Sequence, residues 1–338
     1  MSELSMWSVV REEYGNVDAL RVVETPRPTI ADDEILVAVH ASSVNPYDRY
    51  FMMGQPRLFF LTDGWRKPRN VNLGSDYAGE VAEVGSQVKD VAVGERVFGL
   101  SNGTWSQFIK VKPQQVHRMP HNMTFAEAAC VPLAGLTAIQ ALAKVGIAQG
   151  QRVLVIGASG GVGTFAVQLA RVMGAQVTGV CSGRNVELVQ SLGTDDVIDY
   201  QKSDYTAIGR QFDVVFDAVG DRPIKELSRI IVPGGAYLAV GAAMEIGVRS
   251  QRTFWPLVRI LRLAVRRRAH GRRWMVFLTK GLKELDDLTP LIEAGSVRTI
   301  IDQSFNVGPS GDATEIARAV EYLGTHRARG KVALLLAH

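Results

Sequence analysis

The chain is poor in the residues that most often announce chemistry. Of 338 residues only two are cysteine, Cys130 and Cys181. Two cannot build a disulfide framework, and such usage fits a reducing cytoplasm, the expected location. No apolar run approaches ~20 residues, so no segment reads as a membrane span. Met1 to Arg11 has no long apolar core and carries acids early, so no signal peptide is expected there. The six histidines (His40, His117, His121, His270, His326, His338) show no metal-ligand spacing. Each reads as a surface or core side chain. Acids are missing from one stretch altogether: Arg249 to Arg273 holds nine arginines, and the formal charge of the whole chain is only +4. The basic excess is local rather than general, so it does not make the protein a nucleic-acid binder by composition.

What is present is the composition of a globular protein, 46% hydrophobic and 21% charged, at a length that suggests two domains. The most informative stretch begins at Arg152. Arg152 to Ile156 is a short apolar run of the kind buried in a parallel sheet. Gly157, Gly160, Gly161 and Gly163 follow at once, enclosing Ala158, Ser159 and Val162. Then Val162, Phe165, Ala166, Leu169 and Met173 recur at helical spacing, and Gly174 is placed to end the helix. Strand, glycine turn and helix seat a pyrophosphate: the backbone comes close, and free N–H groups with the helix dipole favour the anion. The usual fingerprint is Gly-x-Gly-x-x-Gly; here Ala158 takes the first position.

Residues 1–124 read as short strands with turns: Leu20–Val23, Glu34–His40, Tyr77–Val84, Arg96–Phe98 and Trp105–Val111. Phe125 to Lys144 is helical in period, with Pro132 and Gly135 as expected breaks. Strands and helices then alternate. Strand candidates are Val153–Ile156, Val177–Val180, Val197–Ile198, Asp213–Val219, Ala236–Val240 and Met275–Thr279, the number in a complete dinucleotide-binding sheet. Val297–Phe305 and Lys331–Leu336 return to β-type segments around a helix at Asp312–Leu323.

Seven motifs in order carry a resemblance: Val44-Asn45-Pro46-Tyr47-Asp48, Gly74-Ser75-Asp76-Tyr77-Ala78-Gly79, Gly94-Glu95-Arg96-Val97, Pro132-Leu133-Ala134-Gly135-Leu136-Thr137-Ala138, Gly157 to Gly163, Asp217-Ala218-Val219-Gly220 and Gly330-Lys331-Val332. The chain resembles the medium-chain dehydrogenase/reductase superfamily, in its zinc-free quinone oxidoreductase branch. The resemblance implies an α/β protein with a chaperonin-10-like β-barrel catalytic domain, here 1–124 and 297–338. A doubly wound Rossmann domain with a six-stranded parallel sheet, 125–296, is inserted in it, and the active site is expected in the cleft. It also implies a homodimer, often through the last Rossmann strand, here Met275 to Thr279. The zinc branch has Gly-His-Glu where this chain has Gly74-Ser75-Asp76, and the four-cysteine structural lobe has no counterpart. The expectation is therefore no metal site.

Cofactor choice is read from the end of the second Rossmann strand, where an NAD enzyme places an acid on the ribose. Here it ends Cys181-Ser182-Gly183-Arg184. Ser182 can donate to a 2′-phosphate and Arg184 can pair with it; the alternative is a solvated Arg184. The resemblance adds Tyr200 at the same phosphate, and Thr137, Val219, Gly241 and Lys331 along the cofactor. NADPH is the expectation. For the chemistry, the resemblance implies hydride transfer to a quinone or an α,β-unsaturated carbonyl, with Asn45 and Tyr50 as catalytic candidates that hold or protonate the acceptor oxygen. Asn45 before Pro46 serves equally as a turn residue, and Tyr50 as a core aromatic. A trans-2-enoyl thioester reductase and a non-catalytic NADPH-binding protein stay open as alternatives. Two departures limit the carry-over. Met52 to Asn72, with Phe59-Phe60-Leu61 and Trp65, reads as a lid over the entrance for a small-molecule substrate. Arg249 to Arg273 reads as an amphipathic helix with snorkelling arginines, as a dock for an acidic carrier, or as a membrane or nucleic-acid surface.

Overall fold

The computed structural model describes residues 5–55, 63–240, 271–277, 279–309 and 313–337. Gly241, Phe59-Phe60-Leu61 and the arginines from 249 to 268 lie outside the described residues. The chain divides into two compact units. One comprises Met1–Leu133, Gly281–Gly295 and Thr299–His338, and the other Ala134–Lys280 and Ser296–Arg298.

The first unit is built on a seven-stranded sheet. Its path runs Ile301–Val307, Lys331–Leu336, Ile35–Val44, Asp76–Val84, Arg96–Leu100 and His117–Arg118, and Phe108–Val111 also pairs with Ile35–Val44. A two-stranded ribbon, Ser5–Arg11 against Leu20–Pro26, adds Trp7 and Val9 to the core. Ser5–Arg11 carries no turn signal before it and was not legible as a strand. Trp7 and Trp105 are each 1% exposed, and each finds a partner for its indole N–H: Ala337 O at 3.1 Å and Ser43 O at 3.2 Å. A buried indole left without an acceptor would cost about 1–3 kcal/mol, so the two bonds fix where the rings can sit.

The second unit is a parallel sheet of six strands in the order Asp196–Asp199, Gln176–Cys181, Arg152–Ile156, Phe212–Asp217, Ile231–Val240 and Arg273–Phe277. Numbered along the chain this is 3-2-1-4-5-6, the doubly wound dinucleotide-binding order. Every expected strand is present, with ends moved by no more than five residues. Val153, Leu154 and Val155 are all 0% exposed, so both faces of the first strand are covered, as its unbroken apolar run requires. Each large apolar side chain buried here, such as Phe165 or Phe216, brings roughly 2–3 kcal/mol.

The division of the chain differs from the expected boundaries at 124 and 297. Phe125 to Leu133 belongs with the first unit. Phe125 stacks on His40 with centroids 4.4 Å apart, and Leu133 N donates to Asp76 Oδ1 at 2.9 Å. The helix Leu285–Glu293 also belongs there, because His117 and His121 reach Asp286 and Glu293 at 2.8 Å each. Three-dimensional pairing therefore gives carboxylate partners to two histidines that sequence spacing left alone. The helical stretch after Thr124 breaks once, not twice. Thr124 and Glu127 form a reciprocal capping box on Phe125–Ala129, and Pro132 opens Pro132–Val145 at its first position. Gly135 lies inside that helix. Arg272 and Arg273, the last of the nine arginines, do not sit in a helix: Arg273 begins a strand, and Arg272 Nε donates to Ile231 O at 2.8 Å.

Candidate functional site

In the second unit the glycine turn follows the first strand, at the point where the strand order reverses. Gly157 has φ +81°, a conformation that L side chains rarely adopt. Gly157 and Ala158 both donate to Val180 O, at 3.1 and 3.0 Å, which ties the turn to the second strand. The helix Gly161–Val172 begins at Gly160, whose cap position offers no side chain to the first-turn amides. Those N–H groups are left for an anion. A Cβ on Gly163 would stand 2.0 Å from Gly157 O, so glycine is required there for the helix to start so close to the strand. Ala158 in place of the first fingerprint glycine is fully buried and does not enter the anion's space.

The neighbouring candidates assemble around this turn. Asn185 Nδ2 donates to Ser159 Oγ at 2.9 Å, joining the turn to the segment Ser182-Gly183-Arg184. Tyr200 is half exposed, and its N–H donates to Cys181 O at 3.1 Å. Val219 Cγ2 lies 2.9 Å from where a Cβ on Gly157 would be, so the loop after the fourth strand lies over the turn. That loop is held by Asp217, which is 0% exposed. Its Oδ1 accepts from the N–H groups of Val219 and Gly220 at 2.9 and 2.7 Å, and its Oδ2 accepts from the Tyr237 hydroxyl at 2.7 Å. Sequence reasoning quoted Asp217 only as part of a motif and missed Tyr237. Thr137 Oγ1 pairs with Thr279 Oγ1 at 2.7 Å.

One acid escaped the sequence reading of this corner. No carboxylate ends the second strand, but the adjoining strand pairs Asp199 with Cys181. Asp199 Oδ2 lies 2.7 Å from where a Cβ on Gly183 would be. Its other oxygen accepts from Gln201 N at 3.0 Å, and Lys202 Nζ stands 3.9 Å away. The turn, the uncapped helix start and the segment 182–185 together fit a dinucleotide with its pyrophosphate on the glycines. Ser182 and Arg184 lie on that segment, directly after the second strand.

In the first unit the candidates are buried. Asn45 is 3% exposed and begins the helix Pro46–Met53. Its N–H donates to Asp48 Oδ2 at 2.8 Å, and its Nδ2 faces Asp76 Oδ2 at 3.0 Å, Asp48 Oδ2 at 3.1 Å and Ser43 Oγ at 3.3 Å. Both amide protons are thus spent inside the unit, and of the two readings of Asn45 the turn reading describes this geometry. Tyr50 is 3% exposed, a core position, whereas Tyr47 on the same helix is 37% exposed. Lys331 is 4% exposed and bonds Asn45 and Asp76. The cluster holds Asp48 well above an ordinary aspartate. Burial is the main cause, Asp76 adds repulsion, bonds from Ser75 and Asn45 oppose it, and the result is about 6.

The segment read as a lid is fastened at its described end. Arg11, 0% exposed, pairs with Asp63 at 2.5 Å, and Tyr14 donates to Gly64 O at 2.9 Å. Trp65 beyond it is 74% exposed.

Among the described residues, the groups at the zinc-branch positions are bonded within the first unit. Ser75 Oγ donates to Asp48, and the Asp76 carboxylate accepts from Leu133 N, Ser43, Asn45 and Lys331. Burial pushes the Cys130 thiol up to about 12 and the Cys181 thiol up to about 11. Among the described residues no three His, Cys, Asp or Glu side chains gather in a way that could hold a metal. Nor is any described helix long and apolar enough to cross a membrane.

Comparison with known proteins agrees with this architecture. Residues 31–121 match the family model of the alcohol dehydrogenase GroES-like domain, and residues 192–334 that of a zinc-binding dehydrogenase. The chain is 32% identical to 2-methylene-furan-3-one reductase of Solanum lycopersicum, over 98% of this chain and 79% of that protein. It is 32% identical, with the same coverage, to the chloroplastic NADPH-dependent alkenal/one oxidoreductase of Arabidopsis thaliana. The solved structure of the quinone oxidoreductase from Coxiella burnetii superposes with a TM-score of 0.81 at 27% identity, covering 98% of this chain and all of that one. A GroES-like unit, a 3-2-1-4-5-6 sheet carrying a glycine turn, and relatives matched along nearly the whole length place the chain in the medium-chain dehydrogenase/reductase superfamily of oxidoreductases, in its quinone oxidoreductase-like branch.

Proposed function

We propose that the protein is an NADPH-dependent, zinc-independent oxidoreductase acting on a quinone or an α,β-unsaturated carbonyl. The observation that carries the cofactor choice is the end of the second Rossmann strand. Ser182 and Arg184 stand there, Arg184 exposed, on a segment bonded to the glycine turn through Asn185 and Ser159. A guanidinium and a hydroxyl suit a 2′-phosphate. Gln201 N and Lys202 occupy Asp199, which tempers its repulsion. The acceptor class comes from the relatives, whose names describe reduction of a methylene-furanone and of alkenals or alkenones. Both are carbonyls conjugated to a carbon–carbon double bond.

NADPH bound at the turn would supply a hydride. The chain's part is to hold the pyrophosphate on the amides that follow Gly160. Asp217 and Tyr237 keep Val219 in place over Gly157, and Arg184 and Ser182 grip the adenosine end. The donor set in the first unit is committed to itself, and the acceptor class rests on the relatives.

The test is NADPH loss with a panel of quinones, enones and an enoyl thioester, with and without chelator. Turnover of quinones or enones that chelator leaves unchanged is expected; dependence on zinc refutes the reading. Arg184→Ala is expected to weaken NADPH binding about tenfold, the worth of one charge-assisted pair, with NADH affected less than about twofold. Equal loss for both cofactors refutes the phosphate assignment. The homodimer through Arg273–Phe277, an outer strand of the six-stranded sheet, is part of the same proposal.

A further inference from the structure

The strand Lys331–Leu336 pairs antiparallel with Ile35–Val44 in a register that sets Val332 against Val44. Lys331 is therefore level with Asn45, the residue that opens the helix Pro46–Met53. At 4% exposure its ammonium has left water and needs acceptors. It finds Asn45 Oδ1 and, at 3.2 Å, Asp76 Oδ2. An ammonium has no lone pair, so the Asn45 atom that faces it is the oxygen. This one contact orients the amide and turns its nitrogen to Asp48 and Asp76. The carboxylates are gripped in turn from their other sides, Asp48 by Ser75 and Asp76 by Leu133 N. Lys331, Asp76, Asn45 and Asp48 come from three strand ends and one helix start, and the bonds join them into one buried unit.

We infer that Lys331 is a positioning residue: its fixed ammonium holds Asn45 and Asp76 directly, and Asp48 through Asn45, as a bound divalent cation would organise its ligands. The barrel unit therefore needs no metal to set the start of the helix that follows Asn45. The same contacts commit the Lys331 ammonium inside the first unit. Only the turnover measurement below rests on the proposed function; the binding and stability measurements do not.

The test compares Lys331→Met, Lys331→Arg and the double variant Lys331→Met with Asp76→Asn. Each is followed by melting temperature, by NADPH affinity from fluorescence, by Zn²⁺ titration in a calorimeter, and by enone turnover. Lys331→Met leaves Asp76 without its counter-charge; removing that charge in the double variant restores the net charge of the wild-type cluster. The expected result is a melting temperature lowered in Lys331→Met and recovered by more than half in the double variant. NADPH affinity stays within about twofold throughout, and kcat falls about tenfold in the single variant with KM for NADPH unchanged. The wild-type protein gives no heat with Zn²⁺. Should Lys331→Met fail to fold, Lys331→Arg keeps the charge and is expected to fold, with NADPH affinity unchanged and kcat lowered by its larger fork. A tenfold loss of NADPH affinity in Lys331→Met or Lys331→Arg would make Lys331 a cofactor ligand and overturn the inference. So would stoichiometric Zn²⁺ binding by the wild type, or a double variant no more stable than the single one. If the wild type reduces no acceptor, the function is wrong while the melting, NADPH and zinc measurements still decide the role of Lys331.

Discussion

At the scale of single residues, the chemistry of this protein turns on whether a polar atom is spent or available. Asn45 has every donor paired within the barrel unit. Tyr50 is almost wholly buried. At that burial the phenol is read as packing, and the proton of the reaction as water's. Tyr50→Phe is accordingly expected to leave enone turnover within about twofold, water supplying the proton. A large fall in kcat at constant NADPH affinity would return the role to Tyr50. Asp199 shows the reverse situation. In the sequence it ends a strand of its own, and only parallel pairing brings its carboxylate to Gly183. That acid was invisible to a reading that searched the second strand alone, because register between strands is not written in either of them.

Among elements, the helix Pro46–Met53 is the one whose start carries charge. Asp48 closes a capping box with Asn45 and at the same time shares a buried site with Asp76. Its carboxyl is raised from 3.8 to about 6, chiefly by burial. Between about pH 4 and pH 6 the native state therefore binds a proton that the unfolded chain has released, and stability falls as pH rises through that window. Above it the loss is complete, on the order of 3 kcal/mol. Asp48→Asn does not titrate there. The stability advantage of wild type over Asp48→Asn is thus expected to shrink from pH 4.5 to pH 7 in urea melts. A gap that widens with pH would contradict the raised carboxyl. The glycine turn shows how far an element can be read in advance. Strand, turn and helix were legible from Arg152 to Gly174, because glycine count, apolar run and helical period all agree there. The helix Leu285–Glu293 could not be assigned to its unit, because the histidines that fasten it are some 170 residues away in the chain.

For the whole molecule, the sheet order of the second unit leaves Arg273–Phe277 at an edge among the described residues. A strand at an edge offers unpaired backbone groups to a second copy. Met275→Lys puts a charge on that strand, and a dimer at twice the 36.9 kDa chain mass is expected to become monomeric by light scattering. A wild type that is already monomeric would remove the proposed interface. The two-unit plan was legible as a composition change from turn-rich β segments to alternating strands and helices. Its boundaries were not, because Leu133 and the helix after Gly281 are recruited by contacts to Asp76 and His117 rather than by local pattern.

The pairing of Lys331–Leu336 with Ile35–Val44 also has a bearing on biosynthesis. A ribosome makes the N-terminal strand nearly three hundred residues before its neighbour. The nascent barrel must wait with an open sheet while the dinucleotide unit, continuous over Ala134–Lys280, emerges and can close on its own. Assembly then ends on the lysine that completes the buried charge cluster, and a chain stalled short of Gly330 would carry a finished nucleotide fold beside a barrel lacking its cation.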